Sequence, residues 1–449
     1  MNPLDLLYIP LAAVTAPAWG LKKREGWPER FGKIHRLPAP AGGARGRVLL
    51  HAVSVGEVAA CRELVPMLAR EGGGGGADVV VSVTTDTGLR RAKELYGKLE
   101  RVHVVRYPLD FSWAVERFLD AVRPDVVALV ELEVWPNFVA ACAERGVPIG
   151  VINGRLSARS FKGYRKIRAA IGPTFKRLKF AAVQDADYAH RFEVMGVPRE
   201  RVTITGTMKW DAVKVKESDQ PSAEAIRLAD ELGIDRSRPL IVAGSTAEDE
   251  EALLHAATPP GVQLLCAPRK PEHVEAAAAA LPGCVRLSKV REGARAGGGD
   301  ARADRHQEGA NAGGRFLVDT IGDLSKAYQL ASVVVMGRSF GSLYGSDPIE
   351  PIALGKATLI GPRFGDFESS VRALEAGKGV GITTRENLGS DLARLVAEPE
   401  MARELAANGR RVILDHQGAS RKHAELLLSL LPSEPIGDRM RKVSDQSLA

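Results

Sequence analysis

"RVLLHAVSVGEVAA" (residues 47–60) joins a nearly continuous apolar run to a Ser-Val-Gly-Glu turn and then to a helix-like stretch. A short apolar run of this kind describes a strand buried on both faces, and strand, turn and helix in succession make the repeating unit of a parallel sheet. Working outward, the unit recurs in two series. The first holds "RVLLHAVS", "ADVVVSVTT", "RVHVVRYP", "PDVVALVEL", "PIGVING", "FAAVQDA" and "VTITGTM"; the second holds "PLIVAGST", "GVQLLCAPR", "RFLVDT", "ASVVVMGRS" and "ATLIGP". Helix-length segments lie between the runs, so the pattern predicts an α/β protein of two Rossmann-like, doubly wound parallel-sheet domains.

Length and composition agree. At 449 residues and 45% hydrophobic the chain suits two cores rather than one, and with only 5% aromatics it suits helix-covered sheets. We divide it into residues 1–25, an N-terminal domain 26–208, a polar linker 209–238, a C-terminal domain 239–430 and a flexible tail 431–449. Residues 291–314 and 72–76 are Gly-rich and read as mobile loops. Within the first 25 residues, the apolar stretch "LDLLYIPLAAVTAPAWG" (residues 4–20) is followed by Lys22, Lys23 and Arg24. The segment is too short and interrupted for a span and carries its charge on the wrong side for a secretory signal, so it reads as a monotopic anchor on anionic lipid. A cleaved signal and a buried core helix are the alternatives.

The net charge is +7, and no acid occurs between Glu144 and Asp185, an interval that carries Arg155, Arg159, Lys162 and further cations up to Lys179. Such a field attracts a polyanion. No aromatic platform accompanies it, which weighs against single-stranded nucleic acid. The four cysteines are widely spaced and the nine histidines form no ligand motif, so no metal centre is expected. Neither GxGxxG nor a P-loop occurs.

In open parallel sheets ligands bind beyond the carboxyl ends of strands, and two facing domains would make a cleft there. Glu57 ends one turn, where it also describes an ordinary helix-start acid. Glu131 and Glu133, two apart in "VELEVWPN", fall on the same side of an extended chain. In the second series "GSTAEDEE" offers Ser245 and Thr246, "APRKPEH" offers Arg269, and "GRSFGSLYGSDPIEP" brings Gly337, Gly341 and Gly345 near Glu350. The glycines suit phosphate, and a carboxylate at Glu350 suits a ribose diol.

In order and wording these motifs, with "INGRLSARSFKGY", "GTMKWD" and "DTIGDLSKAYQLASVVVMGRSF", resemble the 3-deoxy-D-manno-octulosonic acid (Kdo) transferases, over residues 4–425. The resemblance implies a GT-B architecture and inverting transfer of Kdo from CMP-Kdo to a lipid A precursor at the inner membrane surface, without cofactor, metal or nucleic acid. It implies that Glu57 is the general base and that Glu131 or Glu133 is a second essential acid. Lys209, Ser245, Thr246, Arg269, Gly341, Asp347 and Glu350 would hold the CMP-sugar donor, and Arg155, Arg159 and Lys162 the acceptor phosphates. A different nucleotide-sugar enzyme, an epimerase or a silent lipid A-binding relative are the alternatives. The chain departs from the family pattern at Ala247, Arg338, Tyr344, Ser346 and Asp347. Beside a nucleotide phosphate Asp347 would be unfavourable unless Arg338 pairs with it.

Overall fold

The computed structural model describes residues 5–6, 25–40, 43–70, 76–216, 218–295 and 314–433. The proposed anchor, apart from Asp5, Leu6 and Glu25, lies outside them, as do 296–313 of the proposed insertion, 72–75 of the glycine loop and the tail from 434.

Seven strands form the first sheet: β1 (Arg47–Ala52), β2 (Asp78–Val83), β3 (Val102–Arg106), β4 (Val126–Val130), β5 (Ile149–Gly154), β6 (Phe180–Val183) and β7 (Val202–Ile204). All are parallel, in the order β3-β2-β1-β4-β5-β6-β7. The central strands are buried at every residue because helices cover both faces, which is why they read as unbroken Val, Leu and Ile. The order reverses between β1 and β4. Their carboxyl ends therefore flank the topological switch point, where a crevice forms.

The second sheet contains β8 (Leu240–Thr246), β9 (Gln263–Pro268), β10 (Val285–Arg286), β11 (Arg315–Leu317), β12 (Val333–Met336), β13 (Ala357–Ile360) and β14 (Gly381–Ile382). It is again wholly parallel, ordered β10-β11-β9-β8-β12-β13-β14, with its switch point between β8 and β12. The sequence pattern does not show β10 and β14, each a two-residue, half-buried strand at a sheet edge.

The domain limits differ from expectation at two places. Contacts divide the chain into one unit of 1–212 plus 416–449 and another of 213–415. The segment expected to be a linker forms a helix, Ala223–Leu232, capped by Ser222 and ended by Gly233 at φ +70°. Its Ala225, Leu228, Ala229 and Leu232 are buried, so it belongs to the second unit's body. The last helix, Ala419–Ser429, belongs instead to the first: Ala424, Leu427, Leu428 and Leu431 join Leu64, Leu68 and Val48 in one core. Arg45 holds its end, donating to the carbonyls of Leu428 and Pro432, both at 2.9 Å. Among the described residues no helix is long and apolar enough to cross a membrane.

Candidate active site

The first unit gathers its acids at its switch point. Ser54 ends the chain's extended run after β1 and caps the helix Val55–Ala60. Its hydroxyl accepts the Glu57 amide at 3.3 Å and donates to Glu57 Oε1 at 2.8 Å, and the Val53 amide donates to Glu57 Oε2 at 2.7 Å. This reciprocal Ser-x-x-Glu box fixes the carboxyl group and still leaves acceptor capacity on both oxygens. Burial raises its pKa to about 7, with Glu131 and Glu133 adding to the rise against the two hydrogen bonds. A carboxyl group in that range exchanges protons at neutral pH.

Glu131 follows directly on β4 with φ +61°, an unusual conformation for a residue with a side chain. Its amide donates to the Ile152 carbonyl at 3.0 Å, and its carbonyl accepts the Arg155 amide at 3.3 Å. The loops after β4 and β5 are thus stitched together, bringing Arg155 to the acids. Burial also raises the pKa of Glu133, partly offset by the Trp135 indole N–H at 2.9 Å. Arg159 and Lys162 are exposed on the helix Ala158–Lys166, none of whose residues is buried.

The same loop is held from below by the last helix. Asn153, at φ +49°, donates its amide to His423 Nε2 at 3.2 Å and accepts the Met208 amide on Oδ1 at 3.1 Å. Burial depresses the His423 pKa to about 3, so the ring is neutral. "GTMKWD" therefore works as a fastening: Asp211 caps the last helix through the amides of Gly418 and Ser420, and Gln417 donates to the Trp210 carbonyl at 2.9 Å. Lys209, expected among the donor ligands and at the start of the linker, stands in this turn and so in the first unit.

The second unit's candidate residues surround its own switch point. The loops after β8, β9 and β12 line a pocket of about 670 Å³ that includes Thr246, Glu250, Arg269, Arg338, Gly341 and Ser342. Glu250 is buried and fully used: Oε2 accepts the amides of Ala247 and Arg338, at 2.9 and 2.6 Å, and Oε1 those of Ser339 and Phe340, at 3.0 and 3.1 Å. Gly337 and Gly345 donate to the carbonyls of Gly244 and Arg338, both at 2.8 Å. The backbone donors expected to cradle phosphate are therefore committed from Gly337 to Phe340 and at Gly345. Gly341, next in the loop, lines the pocket.

Other expected donor ligands are also turned to structure. The Thr246 hydroxyl donates to buried Glu251. Ser245 takes φ +57° in the β-bulge that ends β8. Asp347 accepts the Ile349 amide at 3.0 Å, and the pairing with Arg338 that would offset its charge is not seen among the described residues. Glu350 is exposed on the short helix Ile349–Ala353.

Sequence reading missed Tyr328, which looks like a core aromatic on the helix Leu324–Leu330. Burial raises its phenol pKa, with Glu350 and Asp347 adding and Arg269 opposing, so it links three of the expected donor residues. A Cβ on Gly244 would lie 1.9 Å from the Tyr328 hydroxyl, which is why the "AGST" strand end keeps a glycine. Among the described residues no group of three His, Cys, Asp or Glu side chains is arranged to hold a metal ion.

Residues 25–212 match the family model for 3-deoxy-D-manno-octulosonic-acid transferase (kdotransferase). The chain is 28% identical to the 3-deoxy-D-manno-octulosonic acid transferase of Haemophilus influenzae, over 95% of each chain. It is 29% identical to the transferase of that name from Bordetella pertussis, over 91% of this chain and 94% of the relative. Among solved structures, Anabaena Alr3699/HepE in complex with UDP is similar over 86% of this chain and 100% of that one, with a TM-score of 0.54 at 13% identity. At that identity the likeness speaks for the fold alone, the two-domain GT-B class.

Proposed function

We propose that the chain is a 3-deoxy-D-manno-octulosonic acid transferase, a reading supported by the match over residues 25–212 and by relatives 28% and 29% identical over nearly the whole chain, and that it transfers Kdo, with inversion, from CMP-Kdo to a lipid A precursor in lipopolysaccharide biosynthesis. The observation that carries the reading is Glu57, a fixed carboxyl group raised to about 7 beside two further acids at the β1/β4 switch point. In the reaction an acceptor hydroxyl attacks the anomeric carbon of Kdo as Glu57 takes its proton. The bond from that carbon to the phosphate oxygen breaks, and CMP leaves with the electron pair.

Charge relief for CMP falls to Arg269 in the second unit's pocket, so the reaction needs no resident metal. The acceptor is itself a phosphorylated anion. Arg155, tied by its amide to Glu131, with Arg159 and Lys162 on the adjoining helix, suits its phosphates. We place the protein on the cytoplasmic face of the inner membrane, with residues 1–25 as anchor.

The test is acceptor-dependent release of CMP from CMP-Kdo with a lipid A precursor in detergent micelles, with and without EDTA. The reading requires release that EDTA does not abolish. Glu57→Gln should lower it by about 10²- to 10⁴-fold, the usual worth of a positioned base, while CMP affinity stays unchanged. An epimerase or a silent binding protein releases no CMP in response to acceptor. Arg159→Gln with Lys162→Gln should weaken acceptor use even in micelles; a loss confined to vesicles would reassign these cations to membrane docking.

A further inference from the structure

We propose that Arg338 is a specificity-determining residue of the donor pocket, receiving the carboxylate of an acidic sugar while Arg269 receives the nucleotide's phosphate. The inference deepens the proposed function and rests on it.

The first support is the charge left in the pocket after internal pairing. Three acids line it beside Arg269, Lys270 and Arg338. Glu248 contacts the His273 ring at 3.3 Å, an ion pair only when that ring is protonated, and Asp249 pairs with Arg385 at 2.7 Å. Glu250 keeps its charge, but its oxygens are taken by the four loop amides and it forms no ion pair with either arginine among the described residues. Lys270 has only a loose, exposed pairing with Glu272 at 3.7 Å. The guanidinium groups of Arg269 and Arg338 have no hydrogen bond or ion pair among the described residues. Two like charges facing one pocket repel each other, so the site is arranged for a ligand that brings two negative groups.

The second support is the backbone. Arg338 sits at φ +60°, a conformation that glycine adopts freely and arginine only under strain. The conformation is imposed from both sides, since the Arg338 amide is held by Glu250 and its carbonyl accepts the Gly345 amide at 2.8 Å. A strained backbone that aims an unpaired, half-buried cation into a pocket is unfavourable for folding alone and useful for binding. A CMP-activated ulosonic acid carries its two charges on separate groups, one phosphodiester and one carboxylate. A planar guanidinium matches the carboxylate with two parallel hydrogen bonds.

The experiment compares CMP-Kdo, CMP and UDP with the full-length protein and its Arg338→Gly, Arg338→Lys and Arg269→Gln variants. CMP lacks the sugar carboxylate, and UDP places both charges on phosphate. Arg338→Gly relaxes the backbone, so loss of function cannot be assigned to misfolding; its unfolding midpoint should equal or exceed the wild type's. We expect Arg338→Gly to raise the KM for CMP-Kdo roughly tenfold or more, as loss of a charge-assisted pair does. The inhibition constant of CMP should stay within about twofold. Arg338→Lys should recover only part of the loss, and Arg269→Gln should weaken both ligands. Equal loss of CMP and CMP-Kdo in Arg338→Gly would make Arg338 a phosphate ligand and overturn the inference, as would no loss at all. UDP binding tighter than CMP-Kdo to the wild type would also overturn it. Wild-type protein that binds neither CMP nor CMP-Kdo would sink the proposed function with it, whereas an active wild type with an indifferent Arg338→Gly sinks the inference alone.

Discussion

At Glu57 two demands compete in one side chain. Its hydrogen bonds to Val53 and Ser54 favour the ionised form, yet burial and the neighbouring acids win and hold the pKa near 7. A general base works deprotonated, so kcat/KM should rise about tenfold per pH unit below about 7 and level off above it. A pH profile flat across that range would remove Glu57 from the proton transfer. The sign for stability is opposite. The folded-state pKa lies above that of an unfolded carboxylate, so the folded chain holds the proton more tightly and loses stability as pH rises toward about 7. Glu57→Gln should therefore be more stable than wild type at pH 8, by on the order of 1 kcal/mol, and nearly equal to it at pH 4, as read by urea titration. Most of this corner was legible: an acid three residues after Ser54 announces the box, and strand ends announce where polar residues meet. Tyr328 was not, because a tyrosine at a helical apolar position looks the same whether it fills a core or borders a ligand.

At the scale of elements, the loop after β12 shows what a motif conceals. Read as glycines before an acid, it offers amides to a phosphate; folded, it gives three consecutive amides to Glu250. Four of the five residues in "AEDEE" are acids, and composition does not say which one turns inward. The choice follows from position: Glu250 begins the helix Glu250–Ala257 beneath the loop, and only a carboxylate accepts four donors at once. Glu250→Ala would leave buried amides without partners, each worth about 1–3 kcal/mol. It should lower unfolding free energy by about 3 kcal/mol or more and weaken CMP binding together with it. Glu250→Gln, which accepts at one oxygen only, should fall between. If Glu250→Ala bound CMP as the wild type does, the loop would not shape the donor pocket.

The chain leaves its first unit near residue 212 and returns near residue 416, and the return was not legible. Helix Ala419–Ser429 carries an apolar stripe that would suit either core; periodicity shows that a face is buried, never against what. Here it packs on the helix Leu64–Arg70 and also reaches the acids' scaffold, because His423 holds the Asn153 amide two residues before Arg155. The last segment is thus a structural part of the first unit and of the proposed acceptor side, and its loss should be felt there first. All five tryptophans precede residue 212, so their fluorescence reports the first unit alone. Leu427→Ala removes a fully buried side chain from that core and should lower the fluorescence-detected unfolding free energy by about 2–5 kcal/mol. Leu392→Ala, equally buried in the second unit, should leave the fluorescence transition in place while lowering thermal stability measured by calorimetry. Were Leu392→Ala to move the tryptophan signal as far as Leu427→Ala does, the last helix would not be a private support of the first unit, and the two units would unfold as one.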